Sequence, residues 1–167
     1  MSDKVQSVLI GGVAAAVLAT LLSLPQNQCL GCLACLCYIG SGLLAVWHYT
    51  NTQSLTIKGG EGASIGALAG VVSGVVGGIL GLIFRAIGLL PTAEEAIQQL
   101  EDSGQLDQAD EATMELMYGI IEFFNGPGGI VVGIIFAVIL GVIGGAIGAA
   151  VFKKGSTTAS EDLADLG

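Results

Sequence analysis

GASIGALAGVVSGVVGG, residues 62–78, is the stretch whose reading decides the fold. It sets Gly62, Gly66, Gly70, Gly74 and Gly78 at every fourth position, inside an apolar run without charge over 63–84. In water, glycine at every turn costs a helix about 1 kcal/mol per residue relative to alanine. In a bilayer the backbone has no other partner for its hydrogen bonds, so the helix holds. The bare stripe then lets a second helix approach closely. A second row, Gly129, Gly133, Ala137, Gly141, Gly145 and Ala149, runs through another uncharged stretch. The two rows mark the third and fourth apolar segments as a close-packed pair.

Composition agrees with lipid as the solvent. Only 11% of the 167 residues are charged and the mean hydropathy is +0.81, against about 25% charge in a soluble domain. The net charge of −9 is uneven: nine of the fourteen acids lie between Glu94 and Glu122, and three more in the tail after Lys154. That balance argues against nucleic acid as a partner, which calls for basic stripes, and against polybasic docking on anionic lipid.

Four segments, 5–24, 30–49, 63–90 and 130–152, reach the roughly 20 residues that cross a hydrocarbon core. The first is too long for the h-region of a cleaved signal and lacks a small-x-small site after it. Trp47 and Tyr49 read as interfacial anchors. The expectation is therefore an all-α polytopic membrane protein. It has four transmembrane helices in one domain (1–155) and an acidic flexible tail (156–167). Lys4, Lys58, Lys153 and Lys154 fall on one side of such a bundle and at most Arg85 on the other. That bias sets both termini in the cytoplasm.

Small residues recur elsewhere. The first segment shows Gly11, Ala15, Ala19 and Ser23 beside Gly12, Ala16 and Thr20. The second shows Cys37, Ser41 and Ala45, and the third a neighbouring row, Ala69, Ser73, Gly77 and Gly81. Two adjacent rows on one helix serve two neighbours, or one neighbour and a second copy of the chain.

The polar segment 91–125 reads as an outer amphipathic helical hairpin. Thr92 and Glu95 have capping-box spacing. Ala93, Ala96, Ile97 and Leu100 share a face, and Ser103-Gly104 breaks the helix. Leu106, Ala109, Thr113, Met117, Ile120, Ile121 and Phe124 form a second stripe. The acids match no EF-hand spacing. Arg85 stands near the outer end of the third segment, where Glu94, Glu95 or Glu122 is placed to pair with it.

Cys29, Cys32, Cys35 and Cys37 are the one constellation with chemistry. Their C-x2-C-x2-C-x-C spacing departs from the bacterial iron–sulfur run at the fourth ligand. It also lacks the separated knuckles of a structural zinc site. They read as small packing residues, as disulfides on an oxidising outer face, or, as the lesser reading, as ligands of a metal or iron–sulfur cofactor. Otherwise no cofactor is expected. His48, between two aromatics, reads as a belt residue. The sequence carries no catalytic triad and no phosphate loop followed by lysine.

The stretches 35–47 (CLCYIGSGLLAVW) and 59–70 (GGEGASIGALAG) resemble a group of small, uncharacterised prokaryotic membrane proteins. These have a cysteine-rich second helix and a glycine-rich third. The resemblance implies four membrane helices and no assigned activity. The leading expectation is a non-enzymatic structural or accessory subunit in the cell membrane, assembling through its glycine faces as a homo-oligomer or within a larger complex. The alternatives are a small transport protein whose acidic cap gathers cations, and a redox or metal-handling protein using the cysteines.

Overall fold

The computed structural model describes residues 3–22, 31–104 and 110–153; the side chains of Cys32 and Ala34 also lie outside the description. The described residues form six helices and no strand: α1 (Asp3–Leu22), α2 (Gly31–Gln53), α3 (Gly59–Ala86), α4 (Ala93–Asp102), α5 (Glu111–Asn125) and α6 (Pro127–Val151). Helices α1, α2, α3 and α6 pack as a bundle, and α3 against α6 is its most extensive interface. The α4–α5 hairpin joins the bundle where α5 runs into α6. The 156–167 tail and Lys154 lie outside the described residues.

Among the described residues three helices, α1, α3 and α6, are long and apolar enough to cross a membrane, where the sequence led us to expect four. Helix α2 runs apolar over 33–46 and ends on the polar and aromatic residues 47–53. These helices show lipid-type surfaces: Leu18, Leu68, Ile79, Phe136 and Val151 are all more than half exposed. Leu and Ile point outward while Gly, Ala and Ser fill the centre. This inverts the soluble pattern and suits hydrocarbon as solvent.

Helix ends follow local chemistry. Glycine at position 88 adopts φ +73°, and Leu89 N–H reaches back to the Phe84 carbonyl at 2.8 Å, so α3 stops at Ala86 and not at 90. Pro127 sits in the first turn of α6, which therefore begins three residues before the expected 130. Thr92 and Glu95 form a reciprocal capping box on α4. The carboxylate of Asp110 caps α5 by accepting from Thr113 N–H at 3.0 Å. The first two residues of the expected second stripe, Leu106 and Ala109, precede α5 and lie outside the described residues.

The glycines are where backbones meet. A Cβ on Gly62, Gly66, Gly70 or Gly74 would lie 2.1–2.8 Å from backbone of α6, far inside van der Waals contact. On α6 the matching positions are Gly141 and Gly145, whose added Cβ would meet the Gly66 and Gly62 carbonyls at 2.4 and 2.1 Å. Toward the cap α3 faces Ile134 and Ile130 instead. The line of contact on α6 thus runs 149, 145, 141, 137, 134, 130, with one step of three. That step follows from 3.6 residues per turn and leaves two members of the expected row aside. Gly133 has open space around it, and Gly129 lies against the Phe124 carbonyl at the end of α5.

A second α6 row, Gly144 and Gly148, faces α2, where it meets the Ile39 carbonyl and Val46. In return, Gly42 of α2 lies against Gly141 and Gly145. The two small rows of α1 divide as well. Gly11 meets Ser41 and Ala45 of α2, and Gly12 meets Ala69 and Val72 of α3. The adjacent α3 row is buried at Ala69 and Ser73 and opens at Gly81, whose Cβ would touch nothing.

Candidate functional site

Polar side chains gather at the end of the bundle where α1 and α3 begin and α2 ends. The hydroxyl of Ser7 is fully buried and lies 2.8 Å from His48 Nδ1 and 2.9 Å from the Asp3 carbonyl. Serine has one proton to donate. With that proton on the Asp3 carbonyl, its oxygen accepts from His48, which assigns the imidazole proton to Nδ1. One turn outward, Gln53 donates to the Asp3 carboxylate. Lys4 forms a salt bridge with Glu61 and stands 5.4 Å above the Tyr49 ring. Residues of three helices, up to 57 positions apart in the chain, thus converge on one latch.

Sequence reading placed Trp47 and Tyr49 together as anchors and His48 as a belt residue. A helix turns about 200° over two residues, so Trp47 points outward at 41% exposure while Tyr49 is buried. The partner of His48 is 41 residues away on α1. Nothing local announces such a contact. The remaining buried hydroxyls serve their own helices: Thr20, Thr50 and Ser73 bond carbonyls one turn back at 2.7–2.9 Å, and Ser41 bonds Tyr38. Back-bonding of this kind satisfies a hydroxyl in an apolar interior.

At the opposite end, Arg85 Nη1 donates to the Asn125 carbonyl at 2.6 Å, and its Nε is buried without a partner. Asn125 is the last residue of α5, so the guanidinium meets the negative end of that helix. The bond goes to a backbone carbonyl, whereas Glu95 turns its carboxylate to the Thr92 N–H. Glu94 and Glu122 are exposed. Phe123 packs on Gly128, where a Cβ would lie 2.3 Å from its ring. On the hairpin, Tyr118 donates to Glu101 at 2.8 Å, which raises the phenol's pKa above its usual value. The Thr113 hydroxyl, and then its amide, lower that of Asp110.

The cysteine cluster is described in part. Cys35 is exposed, Cys37 half-buried, and both are free. Two residues apart on α2, they face different surroundings. Cys37 borders an apolar groove of about 380 Å³ between α1 and α2, with Leu18, Leu22 and Leu33. Cys29 and the Cys32 side chain lie outside the described residues. Among the described residues no three His, Cys, Asp or Glu side chains come together as metal ligands.

Two further grooves open on the surface. One of about 470 Å³ lies along α5 beside Leu116, Ile120 and Phe123. The other, about 440 Å³, runs between α1 and α3 below the Lys4–Glu61 bridge.

A family model covers residues 7–154, which spans all four bundle helices and the hairpin. The chain belongs to the DUF4199 family. That family is described as proteins of unknown function. No curated protein matches the chain, and no solved structure does.

Proposed function

We infer that this DUF4199 protein is a non-enzymatic integral membrane protein that acts as a structural or accessory subunit. One observation carries this reading. Helix α5, on the hairpin, keeps a broad apolar face uncovered: Leu116, Ile120, Phe123 and Phe124 are 47–63% exposed. A helix off the bundle that shows so much apolar surface is built to be covered. Its acids, Glu111, Glu115 and Glu122, form a separate edge, so the face is open to a partner while the edge stays in water.

The bundle supports the same reading. Its polar groups at the termini tie helices together, and the fully buried Ser7 is out of reach of a substrate. Around Gly141, α2 and α3 both press on α6, which favours a solid scaffold over a pore. We further propose that α2 crosses the bilayer with its neighbours, because it packs along α1, α3 and α6. Four crossings would put both termini on the cytoplasmic side and the hairpin outside.

The test is photo-crosslinking from position 116 in native membranes, followed by purification in mild detergent. A defined protein adduct, lost in Ile120→Lys, is expected. Lipid adducts alone, with a monomer unaffected by Ile120→Lys, would overturn the subunit reading. Protease protection of tags at each terminus and at position 104 checks the topology.

A further inference from the structure

The groove between α1 and α3 has a shape that glycine packing does not explain. It is bounded at one end by the Lys4–Glu61 salt bridge. At the other it closes where Gly12 presses on Val72, with a Cβ there only 2.6 Å from the valine. Between these contacts Val8 and Ile65 form a buried floor, and Leu9 and Leu68 stand as exposed walls. From Glu61 to Val72 the groove runs about 16 Å along α3, at 1.5 Å per residue. Half of a hydrocarbon core is about 15 Å. The groove therefore spans one leaflet, with its charges at the headgroup level and its deep end near the midplane.

The rim selects among headgroups. Lys4 Nζ carries three donors, of which Glu61 takes one and Tyr49 faces another, so one remains. The Glu61 carboxylate has acceptor sites beyond the one that Lys4 uses. Both side chains are half-exposed, at 51% and 40%. Ser64 lines the mouth, with its hydroxyl proton given to the Gly60 carbonyl at 3.1 Å. A phosphate fits the remaining lysine donor, and a primary ammonium fits the free carboxylate sites. A headgroup with both leaves the pair balanced. An anionic headgroup would add a net negative charge to the neutral Lys4–Glu61 pair and bring no ammonium to the carboxylate. A quaternary ammonium has no N–H to donate.

We propose that this groove is a binding site for an ethanolamine phospholipid of the leaflet at the two termini. One acyl chain lies between α1 and α3, the phosphate on Lys4 and the ammonium on Glu61. The site rests on the membrane-embedded reading above and is independent of the subunit role.

The test reconstitutes the full chain in vesicles of equimolar dioleoyl phosphatidylethanolamine, phosphatidylcholine and phosphatidylglycerol. The protein is then extracted in mild detergent and its retained lipid counted by native mass spectrometry. One charged hydrogen bond corresponds to about tenfold, so the ethanolamine lipid should exceed each of the others by about that factor. Glu61→Gln should erase its advantage over phosphatidylcholine. Ser64→Phe should fill the mouth and lose all retained lipid while helicity stays unchanged. Equal retention of the three lipids, or full retention in Ser64→Phe, would overturn the site. Release of the protein from native membranes by alkaline carbonate would instead overturn the membrane-embedded reading, so the two failures are distinguishable.

Discussion

Gly66→Ala is the sharpest perturbation of this fold. The new Cβ would stand 2.1 Å from the Gly141 carbonyl oxygen and 2.9 Å from the Gly145 Cα. Ordinary contact begins at 3.4 Å, so the two backbones must part by 3.4 − 2.1 = 1.3 Å at this point. No rotamer relieves the clash, because the atoms met are backbone. A gap of 0.5–1 Å forfeits roughly a quarter to a half of each dispersion contact it opens. Overpacking in a rigid core costs about 1–3 kcal/mol, and we expect the upper end here. For a chain of this length that lowers the melting temperature by about 5–10 °C. The control is Gly81→Ala, whose Cβ meets nothing within 4 Å. It should gain from helix propensity by up to about 1 kcal/mol. The assay is thermal unfolding of both variants in one detergent, followed by far-UV circular dichroism and Trp47 fluorescence. If Gly66→Ala melts with the wild type, or Gly81→Ala falls as far, close backbone approach is not what holds α3 to α6.

Ser7→Ala should leave the half-buried His48 Nδ1 without its partner and cost about 1 kcal/mol, read in the same melts; an unchanged melt would show the latch to be incidental. Arg85→Met should free the end of α5 and cost about 1–2 kcal/mol, with limited proteolysis in 103–125 accelerated and the bundle intact. The Asp110 cap carries a pH dependence. Its pKa is depressed in the folded state, so its contribution is fully present above the ordinary value of 3.8 and fades as pH falls through the lower folded value. Amide exchange at Thr113 should rise over that acid window in the wild type and lose the transition in Asp110→Asn.

What could be read from the chain was local or periodic. Thr92 and Glu95 are three residues apart and cap the same helix turn, so the box was visible in the letters. The α3 row keeps a strict spacing of four, and all five of its glycines face α6. The α6 row was harder. Its contact line takes one step of three, so Gly129 and Gly133 fall off the α3 seam, while Gly144, Gly148 and Gly42 lie outside the expected rows. Those three report on α2, a neighbour that periodicity cannot name. The latch was out of reach for a related reason. Ser7 and His48 are each ordinary in their own helix, and only the packing of α1 on α2 makes them partners. Arg85 was expected to pair with a carboxylate, but its acceptor is the Asn125 carbonyl, and a sequence displays side chains rather than freed backbone ends.

The seam between α3 and α6 is graded. The clearance left for a Cβ is 2.5 Å at Gly62, tightest at 2.1 Å at Gly66, and then grows to 2.4 Å at Gly70, 2.8 Å at Gly74 and 3.0 Å at Gly78. The pair is pinched at Gly66 and splayed toward the hairpin. Its two halves displace unequal areas of lipid. In a bilayer, lateral pressure would act on such a seam with a lever arm, and a change in curvature or thickness would be felt first at the splayed end, where α5 is attached.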